Sequence, residues 1–196
     1  NEVDLIFRID EGPKLRVGEV VFVGKNKVPD SFLVQAMKDN RVHNLFNWIS
    51  GKDVFKKNKL EENINEIKKK LQEFGYMEAS VGEPKIEEIT KKTVFFKNQK
   101  MIRIIIPVDP GLVYRTGEIK VEGNKFITTN YLLSLVKLKP GEIYSSKKRE
   151  KTIEDMGEMY RNFAFLYAQV IPVESLDPKN KIVNVTFNVN EGEVAY

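Results

Sequence analysis

Arg16-Val17-Gly18-Glu19-Val20-Val21-Phe22-Val23-Gly24 occurs twice in this chain: 99 residues on it returns as Arg115-Thr116-Gly117-Glu118-Ile119-Lys120-Val121-Glu122-Gly123. The register then holds without a gap, since Asp30, Leu33 and Met37 fall on Thr129, Leu132 and Val136, a polar helix start followed by two apolar helical positions. A second shared block is Leu60, Ile64, Ile67, Leu71 and Phe74, spaced along one helical face. At an offset of 89 it becomes Arg149, Ile153, Met156, Tyr160 and Phe163. Asn58 with Glu61, and Ser145-Ser146 in the second copy, mark the helix starts. Both helices run into similar text, Phe74-Gly75-Tyr76 and Phe163-Ala164-Phe165.

A third block occurs three times, over Val3 to Gly12, Ile102 to Gly111 and Val183 to Gly192. Its apolar residues alternate, as Val3/Leu5/Phe7/Ile9, Ile102/Ile104/Ile106/Val108 and Val183/Val185/Phe187/Val189, which is the pattern of a half-buried strand. The exits read Asp10-Glu11-Gly12, Asp109-Pro110-Gly111 and Asn190-Glu191-Gly192, with glycine supplying the turn. From Gly12 to Gly111 is 99 residues and from Gly111 to Gly192 is 81. Of the 18-residue difference, ten lie between the helices around Val42 to Gly51 and eight in the loop between Glu87 and Gln99.

Each unit therefore reads strand, helix, helix, strand, strand. A helix pair with one apolar stripe covers one face of a three-stranded mixed sheet, so the fold class is α+β, in tandem two-layer modules. Pro84 and Pro172 fall in the second strand (Met77 to Ile86, Leu166 to Val173), whereas the third carries proline only near its end, at Pro107. A proline cannot donate to a ladder and is confined to edges, so the order is 1-3-2, with the second strand outside. The expected boundaries are 1–12 for the last strand of a preceding module, 13–111 and 112–192 for two modules, and 193–196 for the start of another.

Composition narrows the function classes. The 196 residues include 32 Lys+Arg, 28 Asp+Glu, no cysteine and one histidine, for a net charge of +4. Without cysteine there is no disulfide, thiolate ligand or cysteine nucleophile, and His43 has no histidine companion for a metal. Carboxylate pairs such as Glu61-Glu62 and Glu87-Glu88 are adjacent, so they diverge and make no acid/base dyad. Nothing supports an enzyme, a cofactor or a bound metal. The runs Lys68-Lys69-Lys70 and Lys147-Lys148-Arg149 lie opposite the apolar stripe and read as solvated helix faces. The element order is shared with KH modules, but no two glycines stand three apart to clamp an RNA backbone, so nucleic acid is not expected.

Two kinds of candidate site remain. The second strand of each unit, Met77, Glu78, Ala79, Ser80 and Val81 in one and Leu166, Tyr167, Ala168, Gln169 and Val170 in the other, offers backbone groups to which an extended peptide can add as a new strand. The alternative is an ordinary edge, blunted by its proline against aggregation. Phe46, Trp48 and Ile49, in the insert between the helices, are candidate partner contacts, or else a small satellite core against those helices. Phe95 and Phe96, in the eight-residue extension, either prolong a hairpin or meet a partner.

The repeated layout, the Gly-Glu-[Val/Ile] first strand closing on Gly24 or Gly123, the Phe-Gly-Tyr helix exit and the Glu-Gly or Pro-Gly close together resemble polypeptide-transport-associated (POTRA) domains. The resemblance covers the whole chain. The insert Leu45-Phe46-Asn47-Trp48-Ile49-Ser50-Gly51-Lys52-Asp53 is similar to the third such module of outer-membrane barrel assembly factors, and the shorter Lys139-Pro140-Gly141-Glu142-Ile143-Tyr144 loop to the fourth. What this implies is a non-enzymatic scaffold at the periplasmic face of a bacterial outer membrane, monomeric as this piece. It would hold segments of unfolded outer-membrane proteins by β-augmentation and meet accessory lipoproteins and a periplasmic chaperone. The membrane would be reached only through a C-terminal β-barrel outside this sequence. The same resemblance admits a two-partner secretion or TamA-like transporter, or a ring-building module of a secretion system.

Overall fold

The computed structural model describes residues 15–25, 28–92 and 98–193. Strands form where apolar residues alternate. Strand β1 is Val17–Val23 and β4 is Gln99–Asp109; β4 buries Ile102, Ile104, Ile106 and Val108 on one face. In the second copy β5 is Arg115–Glu122 and β7 is Ile182–Asn190, which buries Val183, Val185, Phe187 and Val189. The second strand of each repeat is split as β2 (Ser80–Val81) and β3 (Lys85–Lys91) in the first copy and continuous as β6 (Gln169–Asp177) in the other.

Both sheets have the expected order. β1 runs parallel to β4, with β2 and the antiparallel β3 along the other side, and β5 runs parallel to β7, with β6 antiparallel beyond it. The glycine of the Gly-Glu motif has a packing reason. Both parallel ladders are irregular there, between Val17 and Glu19 and between Thr116 and Ile119. At Gly117 an added Cβ would lie 2.2 Å from Asn184 Oδ1, an oxygen that accepts from the Glu118 N–H at 2.7 Å.

The helical layer consists of α1 (Asp30–Ala36), α2 (Leu45–Ser50), α3 (Leu60–Gln72), α4 (Thr129–Leu135) and α5 (Ser146–Asn162). Leu33, Met37, Leu60, Ile67 and Leu71 in the first copy, and Leu132, Met156 and Tyr160 in the second, are the buried stripe. Each such side chain removed from water stabilises by roughly 1.5–3 kcal/mol. By contacts the chain forms two units, one running to Ile67 and resuming over Val81–Val108, the other made of Lys68–Ser80 and the chain from Asp109 on. The second unit's core gathers Tyr114, Val121, Leu132, Tyr144, Met156, Tyr160, Phe165 and Phe187, with Met77 packed against it.

Several expectations are corrected. Met77, Glu78 and Ala79, and likewise Leu166, Tyr167 and Ala168, are turn rather than strand, and pairing starts only at Ser80 and Gln169. In each turn a backbone N–H closes onto a carbonyl three residues back, Ala79 onto Tyr76 and Ala168 onto Phe165, both at 3.2 Å. The alternation of Met77 and Ala79 reflects burial of turn side chains, Ala79 being 2% exposed. Asn58 does not cap α3 but lies in a tight helical turn over Lys57–Lys59. Ser145 does cap α5, accepting from the Lys148 N–H. At the start of the eight-residue extension β3 stays paired to β4 as far as Thr90 with Lys100 and Lys91 with Gln99. The strand expected over Val3 to Gly12, together with Phe95 and Phe96, lies outside the described residues.

Candidate functional site

Among the described residues β6 is paired along one side only, from Gln169↔Asn190 to Asp177↔Ile182, and it ends its sheet. Pro172 sits in mid-strand opposite Phe187. A missing N–H is tolerated on the outward side, so strand alternation turns the N–H and C=O groups of Val170, Glu174 and Leu176 outward as well. Ile171 and Val173 stand on one face of the strand and are 53% and 50% exposed. They were missed in the sequence, although their two-residue spacing directly after Val170 was visible there.

The strand is pinned from behind. Glu174 accepts from the Tyr144 hydroxyl and from Arg149 Nη1 at 2.5 Å, joining β6 to the loop before α5 and to its first turn. Burial, reinforced by the Glu174 carboxylate, pushes the Tyr144 hydroxyl well above the ordinary tyrosine range, so it stays a donor. Burial alone would lower the Arg149 pKa, but Glu174 outweighs it and the guanidinium stays charged. In the first copy Phe55 and Leu60 occupy the positions of Tyr144 and Arg149, and Ile86, which pairs with Ile104 as Glu174 pairs with Val185, takes the place of Glu174, so the polar triad belongs to the second copy alone.

A second triad closes that unit. Glu191 Oε1 accepts from the Lys125 and Phe126 N–H groups, both at 2.8 Å, and from the buried Tyr160 hydroxyl at 2.9 Å. Burial raises the Glu191 pKa, but the backbone donors prevail and hold it below its usual value. Where the first copy has Leu71 for Tyr160, it has Pro110 for Glu191. The Tyr114 hydroxyl, 2.6 Å from Glu78 Oε2, is pushed up to about 12 by that hydrogen bond and by burial.

The first sheet presents a broken edge. Gly82-Glu83-Pro84 interrupts it, leaving the two-residue β2 and the seven-residue β3. On its open face Arg103 reaches Glu19 at 2.8 Å and Glu87 at 3.5 Å, a charged rung across three strands. It is solvated, so it contributes little to stability.

The insert is a helix rather than a loop. Asn44 caps α2 by accepting from the Asn47 N–H at 2.9 Å, and Gly51, at a φ of +67°, closes it. Phe46, Trp48 and Ile49 are 82%, 51% and 73% exposed, which removes the satellite-core alternative. Beneath the helix, Asp53 is fully buried, paired with Arg16 Nη1 at 2.6 Å and hydrogen-bonded to His43 Nδ1. Burial pushes its carboxyl up, yet the bonds from His43 and Arg16 win and hold it below the usual carboxylate range. Its Oδ1 has no hydrogen-bond partner among the described residues. Among the described residues no group of three His, Cys, Asp or Glu is placed to hold a metal, and no helix is long and apolar enough to cross a membrane.

Comparison with known proteins finds the POTRA family, described as a surface antigen variable number repeat, matched over residues 15–111 and again over 114–192. Outer membrane protein assembly factor BamA of Buchnera aphidicola is 22% identical over 190 residues, covering 97% of this chain and 30% of that protein. BamA of Neisseria meningitidis is 21% identical over 200 residues, covering 100% of this chain and 24% of that protein. The chain thus spans under a third of the length of these curated relatives. Among solved structures, Haemophilus influenzae BamA POTRA3-5 superposes with a TM-score of 0.70 at 16% identity, covering 95% of this chain and 70% of that one. With two family matches that together take in most of its length, the second folded as βααββ and the first in the same order with the added helix α2 and a split second strand, the chain belongs to the POTRA family.

Proposed function

We propose that this chain is a two-module stretch, 13–111 and 112–192, of a BamA-like outer-membrane protein assembly factor. It works at the periplasmic face of the outer membrane as a binding scaffold without catalysis. Its task is to hold extended segments of unfolded outer-membrane proteins by β-augmentation and pass them onward, in company with accessory lipoproteins and a periplasmic chaperone. The relatives named above support the setting.

One observation carries the mechanism: among the described residues β6 ends its sheet, with one side unpaired and its other side locked to β7. A guest strand adding there makes about five backbone hydrogen bonds at a net ~1 kcal/mol each. Ordering a disordered segment costs roughly 2–5 kcal/mol. The surplus is a few kcal/mol at most, which corresponds to about millimolar affinity or weaker. Cross-strand contacts to Ile171 and Val173 add roughly 0.2–1 kcal/mol each and favour apolar residues at alternate guest positions, the pattern of a barrel strand. Backbone recognition leaves the rest of the guest sequence free, as a factor that serves many clients requires.

The test is titration of the isotope-labelled chain with peptides copied from outer-membrane barrel strands. Amide shifts are expected along Gln169–Asp177, and more weakly along the shorter β3. Shifts confined to helix faces, or none at millimolar peptide, would refute the mechanism.

A further inference from the structure

The exposed apolar turn α2 is not used by strand addition, and its geometry points to a different kind of partner. At about 100° per residue, Phe46, Trp48 and Ile49 lie near 0°, 200° and 300° around the helix axis. All three are nevertheless at least half exposed. The three form one apolar arc of about 160°, from Trp48 through Ile49 to Phe46, so the turn is a protruding apolar knob.

The knob is held out by the chain on either side of it. Asn47 Nδ2 donates to the Val42 carbonyl at 2.8 Å, the Lys52 N–H to Asn47 O at 2.9 Å, the Arg41 N–H to Lys52 O at 2.8 Å, and the His43 N–H to Val17 O on β1 at 2.7 Å. A six-residue helix is too short to persist unaided, so these bonds maintain it.

Charge selects the partner. From Asn40 to Lys52 there is no Asp or Glu, and the segment carries Arg41 and Lys52. Neither makes an ion pair among the described residues; Lys52 is exposed, and Arg41, half-buried, donates from Nε to the Met37 carbonyl at 2.7 Å and leaves the rest of its guanidinium without an ion pair. The bounding carboxylates are engaged elsewhere, Asp39 with Lys56 and the buried Asp53 with Arg16. Aromatic and aliphatic side chains that protrude beside unpaired cations fit the boundary between acyl chains and anionic headgroups.

We propose that α2 is an anionic-phospholipid contact, inserting Phe46, Trp48 and Ile49 into the headgroup boundary while Arg41 and Lys52 meet lipid phosphates. This chain then touches a lipid surface itself, rather than only through a barrel elsewhere.

Trp48 is the only tryptophan in the sequence, so its emission reports on this turn alone. The whole chain is mixed with phosphatidylglycerol/phosphatidylcholine vesicles and with pure phosphatidylcholine vesicles, following Trp48 emission and co-sedimentation. A blue shift with co-sedimentation on the anionic vesicles, weakened by salt, is expected, with far less on the neutral ones. Lys52→Glu should reduce anionic-vesicle binding about fivefold or more. Phe46→Ser with Ile49→Ser should reduce it about tenfold or more, with an unchanged circular dichroism spectrum because both side chains are exposed. No shift on either vesicle overturns the proposal. So does a shift that appears with protein concentration alone, which marks a second copy as the occupant, or one produced by the barrel-strand peptides instead, which marks a client protein. Because β6 is read by amide shifts and α2 by Trp48, failure of one proposal is distinguishable from failure of the other.

Discussion

Replacing Asp53 by asparagine tests whether the insert is clamped by charge. The carboxylate is fully buried and receives Arg16 at 2.6 Å and a hydrogen bond from His43, while one oxygen is left without a partner. Asparagine keeps one acceptor but forfeits the charge and puts an amide NH2 where the carboxylate has an oxygen without a hydrogen-bond partner. A hydrogen bond to a charged group contributes about 1.5–3 kcal/mol. Arg16 and His43 retain 19% and 24% of their side-chain surface in water, so hydration recovers part of what they lose. The expected cost of Asp53→Asn at neutral pH is therefore about 2–3 kcal/mol, below the roughly 3–5 kcal/mol of a fully buried pair broken on one side. The pH dependence follows from the direction of the shift. The carboxyl ionises at a lower pH in the folded protein than its ordinary 3.8, so its stabilisation is complete above that value and is lost as pH falls through the folded one. Urea unfolding followed by circular dichroism should show wild type well above the variant at pH 7, with the gap closing in strong acid. Equal stabilities at pH 7 with equal denaturant slopes would show that the clamp contributes nothing and that backbone bonds alone hold the insert.

Two further outcomes are expected. Gly75 has a φ of +85°, and an added Cβ would lie 2.8 Å from the Tyr114 carbonyl oxygen, whereas Ala164 takes the matching position in the second copy at a φ of +63°. Gly75→Ala should cost more than about 2 kcal/mol, while Ala164→Gly should stabilise by roughly 0.5–1 kcal/mol once glycine's greater unfolded-state freedom is subtracted, both read from urea midpoints. Glu191→Ala strands the Tyr160 hydroxyl and two backbone donors and should cost about 2–3 kcal/mol, with Glu191→Gln recovering more than half; a Tyr160→Phe background that leaves the cost of Glu191→Ala unchanged would show the two are uncoupled.

Much of the fold was legible because the chain states it twice. Alternating residues such as Ile102/Ile104/Ile106 fix a strand and its buried face without reference to anything distant, and Pro84 and Pro172 say which strand lies outside. What stayed hidden is where alternation ceases to mean pairing: Met77 and Ala79, Leu166 and Ala168 alternate with their neighbours, yet turns that close behind the helices claim them. The helical state of the insert rests on Asn44 and Gly51, residues equally at home in a loop. Arg16 and Asp53 stand 37 positions apart, and nothing local announces that they meet. Of the candidate site, the β6 edge was readable from its proline, while Ile171 and Val173 became visible only once the register set them on the uncovered face.

The two copies have solved one packing problem with different chemistry. Behind β6 a hydroxyl, a carboxylate and a guanidinium stand where the first copy has the three apolar residues Phe55, Leu60 and Ile86. Grafting Tyr144 alone onto position 55 would deliver a phenol to a site whose matching residue, Ile86, offers no acceptor, and moving Glu174 alone would bring a carboxylate without its guanidinium. Chimeras between the copies therefore have to exchange whole triplets, and the divergence of a duplicated arm proceeds by linked sets of residues rather than by single letters.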